Sequence, residues 1–299
     1  MFLVVGSTGI LGTEICGLLL GRGQPTRALV RSGSSPERVD RLRTLGAAIV
    51  AGDLKDPGSL ETACAGIHSV ISTASATISR REGDSIESVD RDGHLALIAA
   101  AERAGVRNFV YVSFVEMATD FPVQDAKRAV EQRLKRSSLG YTVLRPTNFM
   151  EVWLSPHLGF DPVEGRVQIF GSGEAKVSWI SFQDVAQFAV ACVDNPAARN
   201  RIIDLGGPEA LSPLEVVRIF EEEVGRSISV QHVPEAALEA QQASAADSLQ
   251  ASLAGLALST ARGSSVPMES TLREFPLRLT TVRDYARRFA RGTSRRDLP

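Results

Sequence analysis

Apolar and polar positions alternate in blocks along the first half of the chain. Short runs rich in Val and Ile fall near residues 2–5, 27–30, 47–51, 68–72, 109–113 and 141–145. Longer mixed stretches separate them, among them 86–104 and 123–138. In ESVDRDGHLALIAAAERAGV the apolar positions Leu95, Ile98, Ala99 and Ala101 recur at three- and four-residue steps, which predicts a helix. Gly105 then supplies a stop signal. Strands alternating with helices of this length predict parallel βαβ units. Strands that are apolar throughout suit a sheet covered on both faces.

After about residue 150 the rhythm loosens. GRVQIFGSGEAKVSWIS reads as two short strands around a Gly-rich turn. SFQDVAQFAVACVDNP reads as a helix capped by Ser181, with Asp184 in its first turn. Residues 234–262 read as helical, with Leu238, Leu249, Leu253 and Leu256 sharing an apolar side. The expected fold is therefore α/β: a Rossmann-type, doubly wound parallel sheet over residues 1–150, then a smaller α+β substrate or partner lobe over 151–299. Some exchange of chain between the two is expected.

Composition adds mostly exclusions. At 299 residues and 43% hydrophobic, the chain can bury a large core. Its 35 acidic and 33 basic residues nearly cancel, so no overall field attracts nucleic acid or anionic lipid. A basic cluster at Arg287, Arg288, Arg291, Arg295 and Arg296 reads as a solvated helix end and tail. Cys16, Cys64 and Cys192 are widely separated in apolar surroundings and read as buried thiols. The scattered His68, His94, His157 and His232 give no metal-ligand spacing, so no metal is expected. The opening MFLVVG reads as a core strand rather than a leader, and no run of about 18 apolar residues occurs. A cytoplasmic protein without a membrane span is expected, as a monomer or homodimer.

The chemistry begins at VVGSTGILG. Glycines at 6, 9 and 12 join the first strand to the first helix, a spacing variant of the dinucleotide fingerprint. Gly6 allows a sharp turn, Gly9 lets a pyrophosphate approach, and Gly12 lets helix pack on strand. The helix start at Ile10 and Leu11 offers N–H groups to an anion, and Ser7 and Thr8 add hydroxyls. The second strand ends in Arg31, not in an acid that would hold the ribose diol of NAD. Arg31 reads either as a contact to the 2′-phosphate of NADP(H) or as a plain surface arginine. The first reading gives a preference for NADP(H) over NAD(H). Asp53 and Leu54 follow the third strand, where they bracket an adenine ring or merely lead into the helix begun by Asp56 and Pro57. Thr73, Ala74 and Ser75 follow the fourth strand and leave room for a cofactor to cross the strand ends.

Taken together, GSTGILG, ALVR, GDL, VDRDGHLALIAAAERAGV, NFVYVSF, AKRAVEQRLKRSSLGYTVLRPTNFME and WISFQDVA resemble the atypical short-chain dehydrogenase/reductases of the NmrA-like, NAD(P)H-binding group. The resemblance implies that Ser113 and Lys127 are the catalytic pair, with Lys127 reaching the nicotinamide ribose hydroxyls. It also implies that Pro146, Thr147, Asn148 and Phe149 line the nicotinamide end. Phe114, Met117, Phe149, Met150 and Trp153 flank these motifs and read either as an apolar substrate pocket or as ordinary packing.

One departure stands out. The group's best-known proton donor is a tyrosine four residues before the lysine, and that position holds Val123. Hydride transfer does not require it, but acid–base help of roughly 10²–10⁴-fold is lost. Two functions stay open: an NADPH-dependent reductase of a small planar or quinone-like acceptor, and a non-catalytic NADP(H)-binding redox sensor, regulator or assembly factor acting on a protein partner.

Overall fold

In the computed structural model, which describes residues 1–78 and 81–291, the six predicted strands of the first half all form. Arg295 and Arg296 of the basic cluster lie outside those residues. The order is β1 (Phe2–Val5), α1 (Ile10–Gly21), β2 (Thr26–Val30), α2 (Pro36–Thr44), β3 (Ala48–Ala51), α3 (Pro57–Cys64) and β4 (Ser69–Ser72). A π-helical segment, Ile86–Gly93, leads into α4 (His94–Arg103), then β5 (Asn108–Val112), α5 (Pro122–Lys135) and β6 (Gly140–Pro146). The chain continues through α6 (Met150–Trp153), β7 (Phe160–Asp161), β8 (Arg166–Phe170), α7 (Phe182–Cys192) and β9 (Arg201–Leu205). It ends with α8 (Pro213–Val224), β10 (Ser229–Val233), α9 (Glu235–Ala243), α10 (Ser248–Arg262), α11 (Glu269–Glu274) and α12 (Val282–Ala290).

The main sheet has seven strands in the order β3-β2-β1-β4-β5-β6-β9. Leu3 pairs with Arg27 on one side and with Val70 on the other, both in parallel register. The central β1 and β4 are buried throughout, as their unbroken apolar runs require, whereas the edge strand β3 is partly exposed. The strand order reverses between β1 and β4, and there the two connections leave in opposite directions and open a crevice at the carboxyl ends. Gly6, Arg31, Asp53, Thr73 and Ser113 all follow strand ends on that one edge.

Two compact units emerge. The first comprises Met1–Phe114, Pro122–Arg145 and Ala186–Ile203; the second comprises Val115–Phe121, Pro146–Val185 and the described residues from Asp204 on. The segment 186–203 thus belongs with the first half of the chain, and 115–121 with the second. The second unit has its own three-stranded sheet, β10-β8-β7, and an aromatic core in which Phe220 meets Phe160, Tyr285 and Phe289 edge-on.

Local signals explain most boundaries. Asp56 caps α3 by accepting from the Gly58 and Ser59 N–H groups, with Pro57 at the first position. Gly105 sits at φ 70°, a left-handed stop after α4. Cys16, Cys64 and Cys192 are buried.

Two expectations need correction. The second strand of GRVQIFGSGEAKVSWIS reduces to single bridges at Val177. Residues 234–262 form two helices, because Asp247 caps a new one, and Leu253 is left 43% exposed. The buried side of α10 instead carries Ala257, Leu258 and Ala261 against Leu238. Small residues are needed there: a Cβ at Gly255 would lie 2.6 Å from the Phe121 ring. Among the described residues no helix is long and apolar enough to cross a membrane.

Candidate functional site

The phosphate loop is built by close backbone approach. Gly6 holds φ +83°, and a Cβ there would meet Thr73 Oγ1 at 2.7 Å and Ala74 N at 2.8 Å. A Cβ at Gly12 would sit 2.1 Å from the Gly6 carbonyl oxygen. Gly9 is the N-cap of α1 and contributes no side-chain bond, and the first turn of α1 contains no acid. The N–H groups that open α1 therefore have no intrahelical acceptor and point to the sheet edge. Ser7 departs from its expected use. It is fully buried, and its hydroxyl donates to the Leu29 carbonyl at 2.7 Å, tying the loop to β2. Thr8, Gly9 and Ile10 remain partly or fully exposed on the loop, while Leu11 turns into the core.

Beyond β2, Arg31 donates to Asp84 at 2.7 Å, and Lys55 meets the other oxygen of that carboxylate at 2.5 Å. Burial alone would raise the Asp84 carboxyl, but Lys55 and Arg31 outweigh it and hold it below its usual range. Arg81 lies over Gly33, whose Cβ would come within 2.6 Å of its guanidinium. Two cations thus share one carboxylate, to which the Arg81 backbone N–H also donates at 3.0 Å. Leu54 is buried beneath the π-helical segment, and Asp53 accepts from the Lys55 N–H, so neither is freely displayed. Thr73 bonds back to the Val5 carbonyl, and Ser75 bonds to Thr77.

Lys127 is not a solvated lysine. Its ammonium is buried, 3.5 Å from Asp90 Oδ1, 3.4 Å from the Val112 carbonyl and 5.1 Å above the Tyr111 ring. Burial depresses its pKa, and Asp90 opposes that shift. Tyr111 is itself fully buried, its hydroxyl has no hydrogen-bond partner among the described residues, and burial pushes its pKa well up. Val123, one turn before Lys127, is equally buried.

Beside this pair lies His94, edge-on to Tyr111 at 5.1 Å. Its Nδ1 faces the Val89 carbonyl at 2.8 Å, and a carbonyl can only accept, so Nδ1 carries the proton. Nε2 then accepts from the Ser72 hydroxyl at 2.9 Å. Burial first, and the Lys127 charge second, lower the His94 pKa to about 4. The folded imidazole therefore stays neutral, while the unfolded chain takes up a proton near pH 6.5. Stability is complete above that value and is lost as the pH falls through 6.5 toward 4, by up to about 3 kcal/mol. Urea unfolding at pH 7 and pH 4.5 should show a steeper loss for the wild type than for His94→Asn.

Ser113 is drawn into a second buried group. Its hydroxyl donates to Glu131 at 2.7 Å and receives a bond from Arg128. Glu131 also accepts from Arg128 and from two Arg145 nitrogens, Nη2 and, at 3.0 Å, Nε. The Arg128 guanidinium lies 5.5 Å from the Phe114 ring and donates to the Phe114 carbonyl.

The remaining candidates belong to the second unit. Thr147 donates to the Ser178 carbonyl, and Asn148 donates to Thr260 at 2.7 Å, while its own buried carbonyl oxygen has no hydrogen-bond partner among the described residues. Pro146 is buried, and Phe149 stacks obliquely on Phe182 at 4.2 Å. Met150 is fully buried in the core of that unit, Trp153 packs at its margin, and Met117 is half-buried.

The sequence reading missed Ser72, Asp84, Asp90, His94 and Glu131. A usable signal existed for two of them. Ile86, Val89, Asp90, Gly93, His94, Leu97 and Ile98 follow one helical stripe, and all are buried. Two polar residues on an otherwise apolar stripe mark a satisfied internal network.

The chain as a whole is similar to known proteins. The model of the NmrA-like family matches residues 1–286. The photosystem II assembly factor Ycf39 of Trieres chinensis is 32% identical over 78% of this chain and 72% of its own. The NAD(P)H azoreductase of Xenophilus azovorans is 32% identical over 76% of this chain and 75% of its own. An NADPH-dependent quinone oxidoreductase from Escherichia coli, solved with NADPH, shares the fold at a TM-score of 0.75 and 20% identity, covering 97% and 99% of the two chains.

Proposed function

Since the chain belongs to the NmrA-like family, we propose that it is an NADPH-dependent reductase of a small planar or quinone-like acceptor. The observation that carries this reading is the glycine cradle against an uncapped α1. Both Gly6 and Gly12 lie where a side chain would collide with backbone, and the first turn of α1 carries no acid and no side-chain cap. A pyrophosphate fits that cradle.

Each end of the cofactor has its holders. The N–H groups opening α1 take the pyrophosphate. Arg31, Lys55 and Arg81 take the 2′-phosphate, and Asp84 keeps the first two aligned when no phosphate is bound. Lys127 holds the ribose hydroxyls at the nicotinamide end. Bound NADPH supplies the hydride, and this chain supplies orientation and electrostatics. With Val123 in the tyrosine's place and the Ser113 hydroxyl bonded to Glu131, neither provides a mobile proton. That favours acceptors such as quinones and azo compounds, whose reduced product is protonated by water or by Lys127. The azoreductase and quinone oxidoreductase likenesses support this choice of acceptor.

The test mixes the protein with NADPH and a panel of quinones and azo dyes and follows the reduced-nicotinamide absorbance. Turnover above background supports the reductase. Tight NADPH binding without turnover on any acceptor supports the second reading, an NADP(H)-binding assembly factor or regulator, which the likeness to Ycf39 favours. Cofactor preference has a separate check. Arg31→Ala should weaken NADPH binding about tenfold or more, the scale of a lost charge-assisted bond, and leave NADH nearly unchanged. An equal loss for both would remove the 2′-phosphate from the account.

A further inference from the structure

Asp90 is fully buried and makes two connections at once. Its Oδ2 accepts from the Ala76 N–H at 2.9 Å, and its Oδ1 faces the Lys127 ammonium at 3.5 Å. Ala76 belongs to the loop after β4, and that loop presses on the phosphate turn through Thr73 and Ala74. One carboxylate therefore links a backbone wall of the cofactor crevice to the lysine.

The other groups around that ammonium cannot replace it. From β5 come the Tyr111 ring and the Val112 carbonyl. From α4 comes His94, neutral for the reasons given above. From α5 itself come Glu131, already bonded to two arginines, and the like charge of Arg128. Asp90 is thus the carboxylate that faces Lys127 directly from another element, among the described residues.

We propose that Asp90 is a positioning residue that keeps Lys127 charged and fixes its ammonium against the loop after β4. This rests on the reading in which Lys127 holds the cofactor ribose. It assigns the alignment of that lysine to an acid outside the family motif of serine and lysine. Removing the charge takes away the larger opposition to burial and leaves only Glu131 favouring the ammonium, so the lysine should lose its proton more easily.

The chain is well suited to the test, because Lys55, Lys127, Lys135 and Lys176 are its only lysines. With ¹⁵N-lysine, each Nζ can be titrated by NMR, and Lys127→Met assigns the buried signal. In Asp90→Asn the Lys127 titration should fall by about one pH unit or more, with the other three unmoved. At pH values above the lowered Lys127 titration, NADPH binding should weaken, by up to about tenfold for each unit of the fall, and recover as the pH is lowered. In a Lys127→Met background the same change should alter NADPH binding less than about twofold, the additivity expected once the shared partner is gone.

An unchanged Lys127 titration in Asp90→Asn overturns the proposal. A shifted titration with unchanged NADPH binding leaves the Asp90–Lys127 link standing and removes Lys127 from the cofactor instead. Should Asp90→Asn alone fail to fold, the double variant Asp90→Asn/Lys127→Met decides. Its folding supports the link, because both buried charges are then gone. Equal failure of both shows that Asp90 acts through Ala76, and overturns it.

Discussion

Gly12→Ala is expected to abolish NADPH binding. The added Cβ would lie 2.1 Å from the Gly6 carbonyl oxygen, 2.7 Å from its carbon and 2.8 Å from Ser7 Cα. All three are backbone atoms, so no side-chain rotation relieves the clash. Gly6 has little room to shift, since even a Cβ built on it would lie 2.7 Å from Thr73 Oγ1 and 2.8 Å from Ala74 N. Either α1 leaves the sheet or the turn opens, and both destroy the cradle. Titration calorimetry should show a loss of at least about 100-fold in NADPH affinity, roughly 2.7 kcal/mol. Overpacking of this kind should also destabilise the fold by about 1–3 kcal/mol. Two controls sharpen the result. A Cβ at Gly9 meets only the Gly6 oxygen at 3.3 Å, so Gly9→Ala should be milder. Gly17→Ala, inside α1 with nothing within 4 Å, should stabilise by up to about 1 kcal/mol through helix propensity. Wild-type affinity in Gly12→Ala would mean that close packing of helix on strand does not shape the site.

Much of this was legible because the signals were local. A strand of four apolar residues, a Gly triplet and a capped helix each act over a few positions, and parallel pairing leaves few ways to connect them. That is why the first-half strands and the strand-end candidates emerge from the sequence alone. What stayed hidden depends on partners far along the chain. Ser7 looks like a phosphate donor until Leu29, 22 residues away, claims its proton. Arg31 looks like a bare phosphate ligand until Asp84 arrives from the loop after β4. Asp90 and His94 lie on a buried stripe, and a reading based on apolarity passes over both. The same limit misplaced Leu253: with many Ala and Ser on α10, several sides of the helix are nearly equally apolar, and only packing against Leu238 and Phe121 selects one.

The second large effect is expected at Glu131. Val123, Lys127 and Glu131 recur at four-residue steps on α5, and all three are buried. A carboxylate on such a face must be paired, and here it joins Ser113 from the end of β5, Arg145 from β6 and Arg128 from its own helix. Glu131→Gln keeps the shape and removes the charge. Arg128 and Arg145, only 21% and 14% exposed, then lose their shared counter-ion. Breaking a buried pair from one side typically destabilises by about 3–5 kcal/mol, and partial solvent access places this case near the lower figure. Urea unfolding should therefore move markedly, and pairing the change with Arg145→Met should recover part of the loss by removing one of the two cations that shared the carboxylate. The loss should reach the proposed site as well. Glu131 sits one turn after Lys127, and it fixes the β5 end from which Val112 offers its carbonyl to that lysine. NADPH binding should weaken together with stability. A stability change below about 1 kcal/mol, the range of exposed ion pairs, would show that water already reaches this cluster.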